Sequence, residues 1–240
     1  VTPAFHLDDC WELVETSEHT RKHCIPLENC CYDFFELLTI NMVRQGAFGD
    51  LIHGEGAYIH DLEYWMFNKP KDALMSDGAY YKMWRMHENR RKADMYPTHG
   101  LGPICQAMSI NRGDKMDYLT AMMSNDFTLK QRIAEKAKTD PFFEEFLGWD
   151  MRGNMDIQLI RTNQGRTIMI QHDVSSPRPY SRINLLSGTK CFAQKWPLQH
   201  IAFGHEAADE AKMAEIEEKY TPGIVRRVGE MAKKVGGHGG

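Results

Sequence analysis

Tyr96-Pro97-Thr98-His99-Gly100-Leu101-Gly102-Pro103 is the stretch whose residue types and spacing are best suited to chemistry. Pro97 fits the entry to a helix, and Leu101, Ile104, Cys105 and Met108 recur at i, i+3, i+4 and i+7 until Asn111-Arg112-Gly113 ends it. A helix N-terminus offers unpaired N–H groups and a partial positive charge, which suit a phosphate or a developing enolate. His99 falls in the first turn, where that field disfavours an imidazolium and leaves a neutral ring able to take a proton. An ordinary capped helix after a turn has the same spacing. A second set, Tyr58, Tyr80, Tyr81, Trp84 and Arg85, supplies the rings and fixed donors that bind sugars, although tyrosines on a long loop are as often packing residues.

Other constellations carry less. His19 and His23 stand four apart beside Cys24, with Cys30 and Cys31 following, but neither CxxC nor HExxH spacing is present. They read as structural thiols and a solvated helix face, and no metal site is expected. Glu55, Asp61 and Asp173 show no spacing that would converge two of them as a glycosidase acid/base pair. GxSxG and P-loop motifs are absent, and Gly54-x-Gly56 and Gly100-x-Gly102 both lack the third glycine of a dinucleotide fingerprint.

The elements that must position these residues follow from periodicity. Asp8 or Asp9 is a plausible N-cap for a helix to about Thr20, and Cys24 to Leu27 reads as a strand. Phe34, Phe35, Leu38 and Met42 mark an amphipathic helix from Cys31 to Gly46, with a solvent-facing far side. Leu51 to His60 alternates as a strand with Ile52, Gly54, Gly56, Tyr58 and His60 on one face, where two glycines leave room for a close neighbour. Asp61 to Met95 is a long excursion with one short helix near Tyr80 to Met86. Met116 to Met123 is a strand, and Phe127 to Trp149 a peripheral helix or helix pair. Met155 to Ile160 and Thr167 to Val174 form a hairpin; Ser181 to Leu186 and Lys190 to Gln194 are strands turning at Ser187-Gly188. Two helices close the chain, Glu206 to Tyr220 and Pro222 to Val235. The sum is α+β, a mostly antiparallel open sheet with helices packed on one face.

Twenty-nine basic against thirty-three acidic side chains give a net charge of −4 with no long block of either sign, which speaks against a nucleic-acid partner. No apolar run approaches the roughly 18 to 20 residues of a membrane span. Six cysteines are too sparse for a disulfide scaffold. The sequence opens on Val1 and closes on a glycine-rich stretch, and reads as a fragment.

The runs Arg21 to Tyr32, Glu55 to Asp61, Tyr96 to Pro103, Ile110 to Tyr118 and Ser176 to Arg182 together resemble one family, the NAD-dependent α-N-acetylgalactosaminidases of glycoside hydrolase family 109, inside the Gfo/Idh/MocA oxidoreductase fold family. The resemblance covers the whole chain. It implies a Rossmann domain of the same protein as partner, with residues 1–28 its tail and crossover and 29–240 the substrate-binding and dimerisation domain, incomplete at its C-terminus. Asn29, Tyr96, Pro97, Thr98 and His99 would contact the cofactor NAD, and Tyr58, Arg85, Tyr96 and Tyr180 the sugar, with His99 and Tyr96 catalytic. The wider fold family often places Asp four residues before this histidine, where Met95 stands, so the orienting partner of His99 is open.

The implied reaction is glycoside cleavage without a carboxylate pair. Hydride leaves C3 of the sugar, the new ketone acidifies the C2 proton, the glycosidic oxygen is eliminated, water adds and hydride returns. The substrate would be a glycan or glycoconjugate ending in N-acetylgalactosamine, and the assembly a homo-oligomer. A sugar dehydrogenase on the same fold and a non-catalytic binding domain are the alternatives. Related bacterial proteins are often exported to the periplasm; a cytoplasmic location is the alternative, and the compartment of this chain is open.

Overall fold

The computed structural model describes residues 6–67 and 86–235. Seven strands form one sheet in the order β2-β3-β4-β1-β5-β6-β7: β1 (Leu51–Ile59), β2 (Met116–Met123), β3 (Asp156–Thr162), β4 (Thr167–Asp173), β5 (Leu185–Gly188), β6 (Phe192–Gln194) and β7 (His200–Ala202). The central pair β1 and β4 is parallel and the other five pairings are antiparallel. Gly165, at φ 83°, turns the β3–β4 hairpin through a backbone region that side chains disfavour.

Period-two alternation decides what the sheet buries. Gly54 stands opposite Ile168 on one side and Leu186 on the other, Ile168 opposite Ile160, Leu186 opposite Ala193, and Ala193 opposite Ile201. This row faces α2 (Phe34–Arg44), α4 (Thr98–Ala107) and α6 (Glu210–Tyr220), which add Phe35, Leu38, Met42, Ile104, Ile216 and Tyr220 to the main core. Asn41 Nδ2 donates to the Tyr220 carbonyl at 2.6 Å and ties α2 to α6. Tyr118, Met122, Ile157 and Leu159, on β2 and β3, remain exposed. The sheet therefore carries its helices on one face, in the α+β arrangement the sequence patterning implied. A second cluster gathers Tyr58, Leu62, Met66, Phe67, Met86, Met95 and Val174 with residues of α5 (Leu129–Ala137) and of the 3₁₀ turn Pro141–Phe146.

Several expectations shift. α1 (Leu7–Thr20) begins two or three residues earlier than Asp8 or Asp9 as N-cap would place it: His6 is the cap, and its N–H donates to the Asp9 carboxylate at 2.9 Å. α1 buries no residue, and Trp11 is 59% exposed. Cys24 to Leu27 is an exposed extended stretch and not a strand, because no strand lies beside it to complete a ladder. α2 is not solvent-facing on its far side: Glu36, Thr39 and Ile40 are buried, whereas Phe34 is 41% exposed. Ser187 and Gly188 belong to β5, and the turn falls at Thr189 and Lys190. Ile183 and Asn184, at φ 61° and 40°, delay the start of that strand. β7 and the five-residue α3 (Glu63–Phe67) were not anticipated. α7 (Gly223–Val235) follows expectation, and the helix near Tyr80 to Met86 lies almost wholly outside the described residues. No helix among the described residues is long and apolar enough to cross a membrane.

Candidate functional site

The two glycines of β1 make room for a helix. A Cβ at Gly56 would lie 2.2 Å from the Gly100 carbonyl oxygen, and a Cβ at Gly100 would lie 2.4 Å from the Ala57 nitrogen. One turn further, a Cβ at Gly54 would meet Ile104 Cγ2 at 2.7 Å. α4 thus starts in backbone contact with the middle of the sheet, which sets His99 beside Tyr58. Their ring centroids are 5.3 Å apart, edge to face. Tyr96 stacks edge-on to His99 at 4.7 Å and lies 4.9 Å from Tyr58. His60 Nδ1 is 3.0 Å from the Tyr58 hydroxyl, and Tyr180 meets the His60 ring at 4.9 Å.

The partner of His99 is Glu28. His99 Nδ1 lies 2.7 Å from Glu28 Oε1, an oxygen that also accepts the Cys30 N–H at 2.9 Å. Burial alone would raise the Glu28 carboxyl, but the hydrogen bond from His99 and that from the Cys30 backbone outweigh it and hold it at about 2. An ionised carboxylate can only accept, so Nδ1 carries the proton and donates it to Glu28, which leaves Nε2 facing away from that bond. Glu28 was missed because 71 residues separate it from His99. Its signal was its place beside Asn29, already singled out for the cofactor.

Pro97 is the N-cap of α4 and has no side chain that could accept from the first N–H groups of the helix. Asn29 opens the 3₁₀ turn Asn29–Tyr32 directly after Glu28 and is only partly buried. Asn29 therefore follows directly on the residue that holds His99. Asp94 accepts the Tyr96 N–H at 2.8 Å, and burial pushes its carboxyl up to about 6. Tyr180 stands on the opposite side of the rings, with burial raising its hydroxyl to about 12.

Of the site residues expected from sequence, Tyr58, Tyr96, His99 and Tyr180 are joined by ring contacts, and Asn29, Pro97 and Thr98 lie next in sequence to Glu28, Tyr96 and His99. Arg85, with Tyr80, Tyr81 and Trp84, lies outside the described residues. Glu55, Asp61 and Asp173 do not converge; they serve His53, the Glu63 N–H, and Ser175 with Ser176. His19, His23, Cys10 and Cys24 are exposed and gather no cluster among the described residues. One grouping, Glu28, Cys30 and His99, does bring a potential ligand atom from each within 4.8 Å. There the His99 Nδ1 is engaged by Glu28, and burial pushes the Cys30 thiol up to about 12, which keeps it protonated near neutral pH.

Residues 32–240 match the family model of the glycosyl hydrolase 109 C-terminal domain. The chain belongs to glycosyl hydrolase family 109. A family 109 protein of Solibacter usitatus (strain Ellin6076) is 43% identical over 242 residues, covering all of this chain and 52% of that protein. One of Porphyromonas gingivalis (strain ATCC BAA-308 / W83) is 44% identical over 260 residues, again covering all of this chain and 52% of the relative. The family 109 chain thus spans about half the length of the curated relatives it matches. Among solved structures, an NAD binding oxidoreductase from Klebsiella pneumoniae superposes with a TM-score of 0.60 at 11% identity, over 86% of this chain and 51% of that one. An inositol dehydrogenase homolog from Azotobacter vinelandii, solved with NAD+, gives 0.58 at 10% identity, over 86% and 48%. These likenesses show that the family 109 chain shares its fold with about half of each of these oxidoreductases.

Proposed function

We propose that this chain is the substrate half of a glycosidase that uses recycled NAD to cleave terminal α-N-acetylgalactosamine. The observation that carries the reading is His99, set in the first turn of α4 with Nδ1 held by Glu28 at 2.7 Å and its ring against Tyr58 and Tyr96. The residues fit a nicotinamide. Asn29 can exchange amide hydrogen bonds with a carboxamide, and the turn that Pro97 opens offers the backbone N–H donors of Thr98 and His99. NAD, when bound by a nucleotide-binding domain of the same protein, would supply hydride acceptance and return at the sugar's C3.

The chain's own residues do the rest. His99 Nε2 takes the C2 proton, with Glu28 fixing the tautomer and stabilising the cationic ring that results. The Tyr96 hydroxyl is the second proton carrier, placed at the edge of His99. Tyr58, Tyr180 and Arg85 hold the sugar, the two rings against its C–H faces. No convergent carboxylate pair is required, in keeping with the separate duties of Glu55, Asp61 and Asp173.

The test is hydrolysis of an aryl α-N-acetylgalactosaminide by the full-length protein while NADH absorbance is followed. Phenol release without net NADH is the expected result, and His99→Ala should abolish it; near-wild-type hydrolysis by that variant rejects the assignment. Stoichiometric NADH would favour a sugar dehydrogenase, the reading that the inositol dehydrogenase homolog among the fold neighbours supports. We also propose a homo-oligomer joined through the open sheet face, where Tyr118, Met122 and Leu159 are 59%, 77% and 51% exposed. Sedimentation of wild type against Leu159→Lys tests it, with a lighter variant expected and an unchanged mass refuting it.

A further inference from the structure

Trp196 carries two anomalies at once, and it stands beside the candidate site. Its φ is 78°, a left-handed conformation that a bulky side chain rarely adopts. Its indole N–H is shielded from solvent and has no hydrogen-bond partner, whereas a buried tryptophan N–H ordinarily finds one. Strained backbone and unmet polar groups of this kind gather at ligand clamps. The ring itself is only partly buried and meets Tyr180 edge to face at 5.3 Å. Tyr180 in turn meets His60 at 4.9 Å and Tyr58 at 6.4 Å, so one aromatic wall runs from His99 out to Trp196.

The backbone under this ring is firmly held. The Lys195 N–H donates to the Asn184 carbonyl at 3.2 Å, and Gln194 Nε2 donates to the Trp196 carbonyl at 3.0 Å. Lys195 Nζ bonds Asp33 at 2.9 Å and Glu36 at 3.0 Å, and Arg182 pairs with the same Asp33. Both cations lie near the indole, 5.7 Å and 5.6 Å from its centroid. A fixed backbone beneath a ring whose N–H lacks a partner is the arrangement of a clamp that moves by rotating one ring.

We propose that Trp196 is the outer clamp of the sugar cleft: on binding, its ring tilts onto the C–H face of a pyranoside beside Tyr180, and its N–H turns to a sugar oxygen. A pyranoside offers both halves of that match, an apolar face and acceptors at its rim. This inference rests on the cleft being a sugar site. It adds a substrate contact that lies in sequence far from Tyr58 and His99.

Titration calorimetry of the full-length protein with N-acetylgalactosamine, N-acetylglucosamine, galactose and myo-inositol, for wild type and Trp196→Phe, tests it. Phenylalanine keeps a ring against Tyr180 and removes the N–H. The loss of one neutral hydrogen bond is expected to weaken the best ligand of the panel by about five- to ten-fold. A thermal melt accompanies each titration to show that the variant is folded. As a readout on the unaltered sequence, the fluorine resonance of 5-fluorotryptophan-labelled protein that disappears in Trp196→Phe is expected to move on saturation. Wild-type affinity in Trp196→Phe, or a Trp196 resonance that stays in place, overturns the clamp and leaves the sugar reading intact; a wild type that binds no sugar of the panel overturns both.

Discussion

Gly100→Ala is the sharpest test of how the site is assembled. The added methyl would stand 2.4 Å from the Ala57 nitrogen and 2.8 Å from the Gly56 carbonyl carbon, where ordinary contact begins near 3.4 Å. Both are backbone atoms of the central strand, which cannot rotate away, so α4 must lift by about 1 Å. Overpacking of this sort costs about 2–3 kcal/mol, against about 1 kcal/mol gained from alanine's better helix propensity. The net is a loss of about 1–2 kcal/mol. His99 is the preceding residue and moves with the helix, and a displacement of about 1 Å lowers kcat/KM by about 100-fold. Thermal melting reads the first effect without any substrate, and hydrolysis by the full-length protein reads the second. Gly229→Ala in α7, where a Cβ would meet nothing within 4 Å, is the control and should be neutral or slightly stabilising. A Gly100→Ala protein with wild-type melting and turnover would refute the claim that this glycine contact sets the histidine.

Glu28→Gln should lower kcat by about 100-fold while leaving KM within a few-fold, as for a group that orients a base; an unchanged kcat contradicts the pairing. The Glu28 carboxyl is held at about 2 against an ordinary 4.5, so its stabilisation is complete above about pH 4.5 and is lost as the pH falls toward 2. The stability gap between wild type and Glu28→Gln, from urea melts, should therefore be flat near neutrality and narrow on acidification; a gap that widens in acid would count against it. Asp33→Ala should destabilise by about 3–5 kcal/mol, since it leaves buried Arg182 and Lys195 short of a counter-charge, and a loss below about 1 kcal/mol in the same melts would mean the cluster is solvated. Treatment with EDTA should leave melting and turnover unchanged, because the Glu28, Cys30 and His99 grouping has its imidazole engaged and its thiol protonated; a lowered Tm would indicate a bound cation.

Much of the architecture was legible where one physical signal dominated. β2 was bounded residue for residue by its run from Met116 to Met123, and the β3–β4 hairpin by Gly165 between two β-branched stretches. Elements failed to read where partners at a distance overrode local preference. Cys24 to Leu27 has strand composition and no neighbouring strand; Glu36 is charged yet buried, because Lys195 meets it from 159 residues away. The second sheet segment was misplaced because Ile183 and Asn184 adopt positive φ values, which asparagine tolerates but a β-branched isoleucine does not advertise.

The sequence by itself determined the family, the α+β class and the chemically equipped turn at Tyr96 to His99, because motif identity and hydrophobic period are local properties of the chain. Only the tertiary structure decided that Glu28 holds His99, that Gly56 and Gly100 touch, and that Trp196 stands beside Tyr180. Each of these joins residues brought close by strand register and by a helix seated on a sheet, and no spacing along the chain encodes a distance of a few ångströms between segments so far apart.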